Sequence, residues 1–129
     1  MLLERYPMFR RLNERVIESD EGFAVEHVRT FDLAYREGDR QATLPIEYLT
    51  GPAKFIVSLG EYMDCWDPPH HKEKISNEYW MRIGERIRQA YESQGVMIKV
   101  HPPLPPEERE ALRAALKRID PSYKGPWEG

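Results

Sequence analysis

The stretch KFIVSLGEYMDCWDPP at residues 54–69, followed by ISNEYWMRIGERIRQAYESQGVMIKV at residues 75–100, decides how this chain folds. Its apolar residues first repeat every second position, placing Phe55, Val57 and Leu59 on one face of a strand. Gly60-Glu61 then permits a reversal into a second strand at 62–66, or the segment runs on as one long bent strand. Pro68-Pro69 stops either form, because two successive prolines remove two backbone donors.

After the prolines the period changes to that of a helix over 76–94. Trp80, Ile83, Ile87, Ala90 and Tyr91 make an apolar stripe, with Arg82, Glu85, Arg86, Gln89 and Glu92 opposite. Ser76 is suited to the N-cap, and Ile75 and Trp80 occupy the two positions of a hydrophobic staple. Gly84 lies beside the stripe, where the lack of a side chain lets a strand approach closely. Gly95 stands where a left-handed C-terminal cap is wanted. Val96, Ile98 and Val100 then alternate as a short strand at 96–100.

Working outward, His101 to Pro106 contains four prolines and reads as an extended connector. A helix follows over 106–119, with Glu107 and Glu108 in its first turn and Lys117 and Arg118 in its last, the charge order its dipole favours. Asp120-Pro121 ends it, and the polar remainder to residue 129, interrupted by Tyr123 and Trp127, forms an arm. Upstream, period-two patterns place strands at 23–28, 31–36 and 41–48, with a reverse turn at 37–40. Pro45 cannot donate a ladder hydrogen bond, so the third of these is expected at an edge or with a bulge. An edge left open by Pro45 invites cover from the C-terminal helix or pairing with a second copy, with Trp127 as the arm's anchor. Phe9, Leu12, Val16 and Ile17 sit at helical spacing against Arg10, Arg11, Glu14 and Arg15, so residues 7–18 read as an amphipathic helix with Pro7 in its first turn.

The expected fold is therefore α+β. A mainly antiparallel sheet of four to six strands carries a long amphipathic helix on one face and is flanked by N- and C-terminal helices. At 129 residues the chain suits a single domain over 1–129, with the proline-rich connector at 101–106 and the helix and arm at 106–129.

Nineteen Lys and Arg against 22 Asp and Glu give a net charge of −3, well mixed in sign. Nucleic-acid and anionic-membrane binding therefore gain no support from the totals, and the locally basic Arg5, Arg10, Arg11 and Arg15 are interleaved with Glu4 and Glu14. The single cysteine, Cys65, forbids an intrachain disulfide and points to a reducing compartment. Met1-Leu2-Leu3 runs at once into Glu4, Arg5 and Tyr6, which does not make the apolar core of a signal peptide, and no apolar run reaches membrane-spanning length. The expected location is cytoplasmic.

Cys65, His70 and His71, with Asp64 and Asp67 beside them, bring metal-ligand types within a few residues. Their spacing matches no established zinc pattern, and no metal or other cofactor is expected. Cys65 is the only thiol, and His27 could approach it from a neighbouring strand as a base. It lies in an apolar strand, however, where a depressed thiol pKa is not indicated. No serine sits in a nucleophile elbow, and Gly22, Gly38, Gly51 and Gly60 are isolated turn glycines.

Several features from Phe55 onward resemble a family of small bacterial immunity proteins from polymorphic toxin systems. They are the strand FIVSL, the acid and prolines after tryptophan in WDPP, the Ile75-Ser76 pair opening the helix, Ile83 and Ile87, and the closing GVMIKV. The segment before Phe23 and that after His101 fall outside the resemblance. It implies a noncatalytic protein that inhibits a cognate toxin by binding it, with no catalytic residues.

The residues agree in kind, since no convergent catalytic set is present. The expectation is a noncatalytic protein-binding domain, possible partner contacts being Glu61, Asp64, Trp66, Asp67, His70 and His71. Glu18, Asp20, Glu21 and Glu47 add to an acidic surface suited to a basic toxin such as a nuclease. The alternative is a small cytoplasmic enzyme or ligand-binding domain with a pocket near Cys65 and His27. Self-association through the arm is a further expectation.

Overall fold

A computed structural model describes residues 8–60 and 64–122. Among these residues seven strands form one sheet in sequence order: β1 (Phe9–Arg11), β2 (Val16–Ser19), β3 (Phe23–Arg29), β4 (Asp32–Glu37), β5 (Arg40–Tyr48), β6 (Phe55–Ser58) and β7 (Lys99–His101). β1 to β6 make an antiparallel meander, and β7 joins β6 in parallel after the helix α1 (Asn77–Glu92). The sheet is thus mixed and curls into a half-barrel, and α2 (Pro106–Ile119) follows it.

This corrects the expected sheet of four to six strands flanked by helices at both ends. Residues 8–19 are a hairpin, not a helix. Asn13 Oδ1 accepts the Arg15 and Val16 N–H groups at 2.8 and 3.1 Å, a local bond that holds a turn in place of helical pairing. β-branched Val16 and Ile17 then pair with Glu26 and Val25 of β3, and Ile17 is buried at 2 % exposure. The spacing of Phe9, Val16 and Ile17 suits both periods, and the partner strand decides between them. Pro7 and Arg5 lie outside the described residues, as do Glu61, Tyr62, Tyr123 and Trp127.

The strand expected at 62–66 is also absent from its described part: Asp64 and Trp66 are in no strand, and Cys65 makes only an isolated bridge with Lys74. Pro45 is interior, with β4 on one side and β6 on the other. The Ile46 N–H bonds to Phe31 O on the β4 side, so Pro45's nitrogen faces the other way. There the β6 ladder begins only at Ile46, and the proline sits just past its end, where no donor is required.

α1 keeps its signals. Ser76 caps it by accepting the Tyr79 N–H at 3.1 Å, and Val96 N–H to Tyr91 O with Gly95 N–H to Glu92 O close its far end, Gly95 holding φ of 75°. Trp80, Ile83, Ile87 and Ala90 are essentially inaccessible and pack into a core with Val25, Leu33, Tyr35, Leu44, Phe55, Val57 and Leu59 from the sheet. Gly84 meets the Leu59 and Val100 side chains so closely that an added Cβ would come within 2.7 Å of Leu59. No helix among the described residues is long and apolar enough to cross a membrane.

Candidate functional site

The Trp66-Asp67-Pro68-Pro69 corner is fixed from inside. Trp66, 6 % exposed, stacks on Tyr35 of β4 at 6.4 Å and meets Tyr79 of α1 edge-on at 6.1 Å. Asp67, 8 % exposed, lies against the stretch of β5 that has β4 on one side and no strand on the other. Its N–H bonds to Gln41 O at 2.7 Å, while its carboxylate accepts the Thr43 N–H at 3.1 Å, the Thr43 hydroxyl at 2.6 Å and the Gln41 side-chain amide at 2.9 Å. On the side of β5 away from β4, one aspartate therefore satisfies backbone groups that a second strand would otherwise pair.

Around it, Asp64 accepts Lys74 Nζ at 3.2 Å and an Arg113 guanidinium nitrogen at 3.0 Å, which ties α2 to the corner. Burial opposes ionisation of Asp64, but these two cations outweigh it and hold the carboxyl below its usual value. His70 stands between Asp39 at 3.4 Å and Glu73 at 3.0 Å, and Glu73 also takes Arg40 at 2.7 Å. Pro68, Pro69 and Lys72 are exposed, and His70 and His71 are half-buried. The expected partner residues thus divide: Trp66, Asp67 and Asp64 are engaged within the fold, His70 and His71 stand at the rim, and Glu61 lies outside the described residues.

Cys65 and His27 are not brought together. Cys65 is buried beside Asp64 and Lys74, and burial first, then the Asp64 charge, raise its thiol pKa, the wrong direction for a nucleophile. His27 lies on β3, bonded to Tyr48 Oη and facing Thr30 O, each at 3.2 Å, in a depression also lined by Arg15, Val28 and Arg29. Among the described residues, no three His, Cys, Asp or Glu side chains gather to hold a metal ion.

A polar cluster that sequence reasoning missed joins α1 to the sheet. Glu37 accepts the hydroxyls of Tyr35, at 2.6 Å, and Tyr79, and an Arg86 guanidinium nitrogen at 2.7 Å; Arg86 also lies 4.9 Å over the Phe23 ring. Burial works against the Glu37 charge, yet two hydroxyl bonds and Arg86 leave its pKa lowered, while burial and Glu37 raise that of Tyr35. Arg86 reads as part of the solvated helix face, although it falls three residues after Ile83 and borders the stripe. With the Glu37 carboxylate taken up by two hydroxyls and a guanidinium, the cluster clamps α1 to the sheet.

The geometry is that of a protein with a rigid, internally braced corner and no assembled catalytic set among the groups described. No curated protein and no solved structure matches the chain. A family model does, described as Immunity protein 74, over residues 30–101, from the β3–β4 turn through β4, β5, β6, the corner and α1 to the end of β7. That span exceeds half of the 129 residues, and the chain belongs to the Immunity protein 74 family.

Proposed function

We propose that this protein neutralises a cognate bacterial toxin in the cytoplasm by binding it, without catalysis of its own. The observation that carries the reading is the family match over residues 30–101, which includes the corner. The corner suits a binding surface because Trp66 and Asp67 hold it from within, so that the exposed Pro68, Pro69 and Lys72 and the half-buried His70 and His71 are presented with little conformational freedom to lose. Asp64 and Asp67 act as its supports, and Glu61 adjoins it in sequence. Exposed Glu21 and Glu47 add to an acidic surface that favours a basic toxin. Self-association through the segment after Val100 is a separate reading that toxin binding does not require.

The test is co-expression with a candidate toxin domain, sought first among the genes that neighbour this one. Growth protection together with a stable complex on size-exclusion chromatography is the expected result. Protection without a complex, or a complex without protection, would overturn neutralisation by binding.

A further inference from the structure

The alternating faces of the meander end unequally. Along the helix-facing side of the sheet, buried Ile17, Val25 and Ile46 are each followed, two residues on toward the β1–β2 and β3–β4 turns, by a residue outside the core: Arg15, His27 and Tyr48. α1 covers the sheet up to Tyr91, whose ring meets Phe55 at 5.2 Å, and Phe55 in turn meets Tyr48 at 6.4 Å. Beyond that point the face opens into the depression around His27, which no carboxylate among the described residues lines.

Three observations set this end apart. The register of β3 against β4 shifts between His27 and Arg29, an irregularity of the kind that re-aims side chains at strand ends. Two large aromatics stand exposed together: Phe31 at 62 % and Tyr48 at 41 %, edge to face with centroids 6.0 Å apart, and the Tyr48 hydroxyl is fixed by donating to Thr30 O at 2.7 Å. The cations beside them are weakly engaged. Arg29 is 77 % exposed with its nearest carboxylate, Asp32, at 3.8 Å, and exposed Arg15 forms no ion pair among the described residues.

Held aromatics flanked by available arginines are the composition of a protein-binding hot spot, and the charge is opposite to that of the chain as a whole. We propose that this end of the sheet, built by Arg15, His27, Arg29, Phe31 and Tyr48, is a second docking surface, for an acidic segment of a partner protein. A carboxylate enters between Arg15 and Arg29, and an adjoining aromatic or aliphatic side chain packs on Phe31 and Tyr48. The surface lies at the opposite end of the meander from the corner, where Asp67 meets Gln41 and His70 meets Asp39. It rests on the immunity reading only if the partner is the toxin itself.

The probe is the random copolymer of glutamate and tyrosine, titrated into the full-length protein and followed by amide NMR shifts, with poly-L-glutamate and poly-L-lysine alongside. Saturable shifts confined to the backbone of residues 15, 27–31 and 48 are expected with the copolymer and none there with poly-L-lysine. The Arg15→Glu, Arg29→Glu double variant, with an unchanged melting temperature, should weaken copolymer binding about tenfold or more. Phe31→Ala should weaken the copolymer several-fold, about as much as loss of one interface aromatic contact predicts, while leaving poly-L-glutamate unaffected. Shifts spread over the whole surface, or equal binding by the double variant, would overturn the proposal. Failure of the wild-type protein to protect growth against the toxin would refute the immunity reading and leave this result standing.

Discussion

The carboxylate of Asp67 accepts both the N–H and the hydroxyl of Thr43, at 3.1 and 2.6 Å, from a loop 24 residues away in sequence. The bond closes the side of β5 away from β4, which the β6 ladder leaves open before Ile46, so the corner and the sheet stabilise each other. Replacing Asp67 by Ala leaves the Thr43 N–H and the Gln41 amide without their partner in a mostly buried site. The expected loss is about 3 kcal/mol, read from urea unfolding. Thr43→Val removes only the hydroxyl and should cost about 1 kcal/mol. A Thr43→Val loss equal to that of Asp67→Ala would show that the backbone and Gln41 bonds contribute nothing.

Trp66→Ala should cost about 3 to 5 kcal/mol, since the indole is 6 % exposed and fills the space between Tyr35 and Tyr79. The His70→Ala, His71→Ala double variant should lose no more than about 1 kcal/mol, because the His70 contacts to Asp39 and Glu73 are surface pairs. The comparison is made by thermal unfolding, with metal analysis of untagged protein in parallel. Stoichiometric zinc that disappears in the double variant would make the corner a metal centre instead of a braced loop.

Two glycines test how tightly the helix sits. Gly60 holds φ of 55°, and a Cβ there would lie 2.7 Å from Trp80 Nε1, so Gly60→Ala combines backbone strain with a collision and should cost about 2 to 4 kcal/mol. Gly84→Ala gains about 1 kcal/mol of helix propensity, but its Cβ would meet Leu59 and Val100 at 2.7 and 2.8 Å. Overpacking should win by about 1 kcal/mol. A stabilised Gly84→Ala protein would mean that those side chains give way freely.

What the sequence made legible follows from how local each signal is. Ser76, the Ile75 and Trp80 staple, the apolar stripe and Gly95 all act within a few residues of α1, and each sits as read. The WDPP and GVMIKV segments likewise carried the resemblance to immunity proteins that the family match bears out. The β1–β2 hairpin was hidden because Phe9, Val16 and Ile17 suit two periods and the choice lies in pairing with Val25. Asp67, Arg109 and the Glu37 cluster were hidden for a different reason. The partners Thr43, Gly60 and Arg86 lie 24 to 49 residues away, and a charged residue in a loop or on a helix reads as solvated until the fold brings its partner. The aromatic end of the sheet was partly visible, with His27 and Phe31 on strand faces, but only the turn order brings Arg15 and Tyr48 beside them.

Glu37 should make the protein sensitive to acid. Its carboxyl pKa is lowered from the usual 4.5, the hydroxyl bonds and Arg86 outweighing burial, so the stability it contributes is present above that value. It is lost as pH falls through the lower, folded-state pKa. Stability measured against urea should therefore fall below about pH 4.5 in the wild type, and the fall should be shallower in Glu37→Gln, which carries no such titration. Asp64, also lowered by Arg113 and Lys74, adds a drop of the same sign that persists in that variant. Identical pH profiles for the two proteins would remove Glu37 as a source.

The hold on α2 differs in kind from the hold on α1. Within α2, Arg109 is the one buried residue, its guanidinium donating to Gly60 O at 2.9 Å, Asn77 Oδ1 at 2.8 Å and Leu104 O at 3.2 Å, while burial lowers its pKa. The Arg113 contact to Asp64 is a second tie, and Leu112, Ala115 and Leu116 are only half-buried, with Ile119 82 % exposed. A helix fixed by directional bonds more than by apolar burial should leave as a unit when the central bond is removed. In Arg109→Ala, hydrogen exchange across 106–119 should rise to near the unprotected rate, while the amides of Ile83 and Ile87 in α1 remain protected. Arg109→Lys should fall between the two, since an ammonium reaches one or two of those three oxygens but lacks the planar fork. If α1 and the sheet lost protection together with α2, the helix would be part of the cooperative core, and the bond from Arg109 to Gly60 would be one of its principal supports.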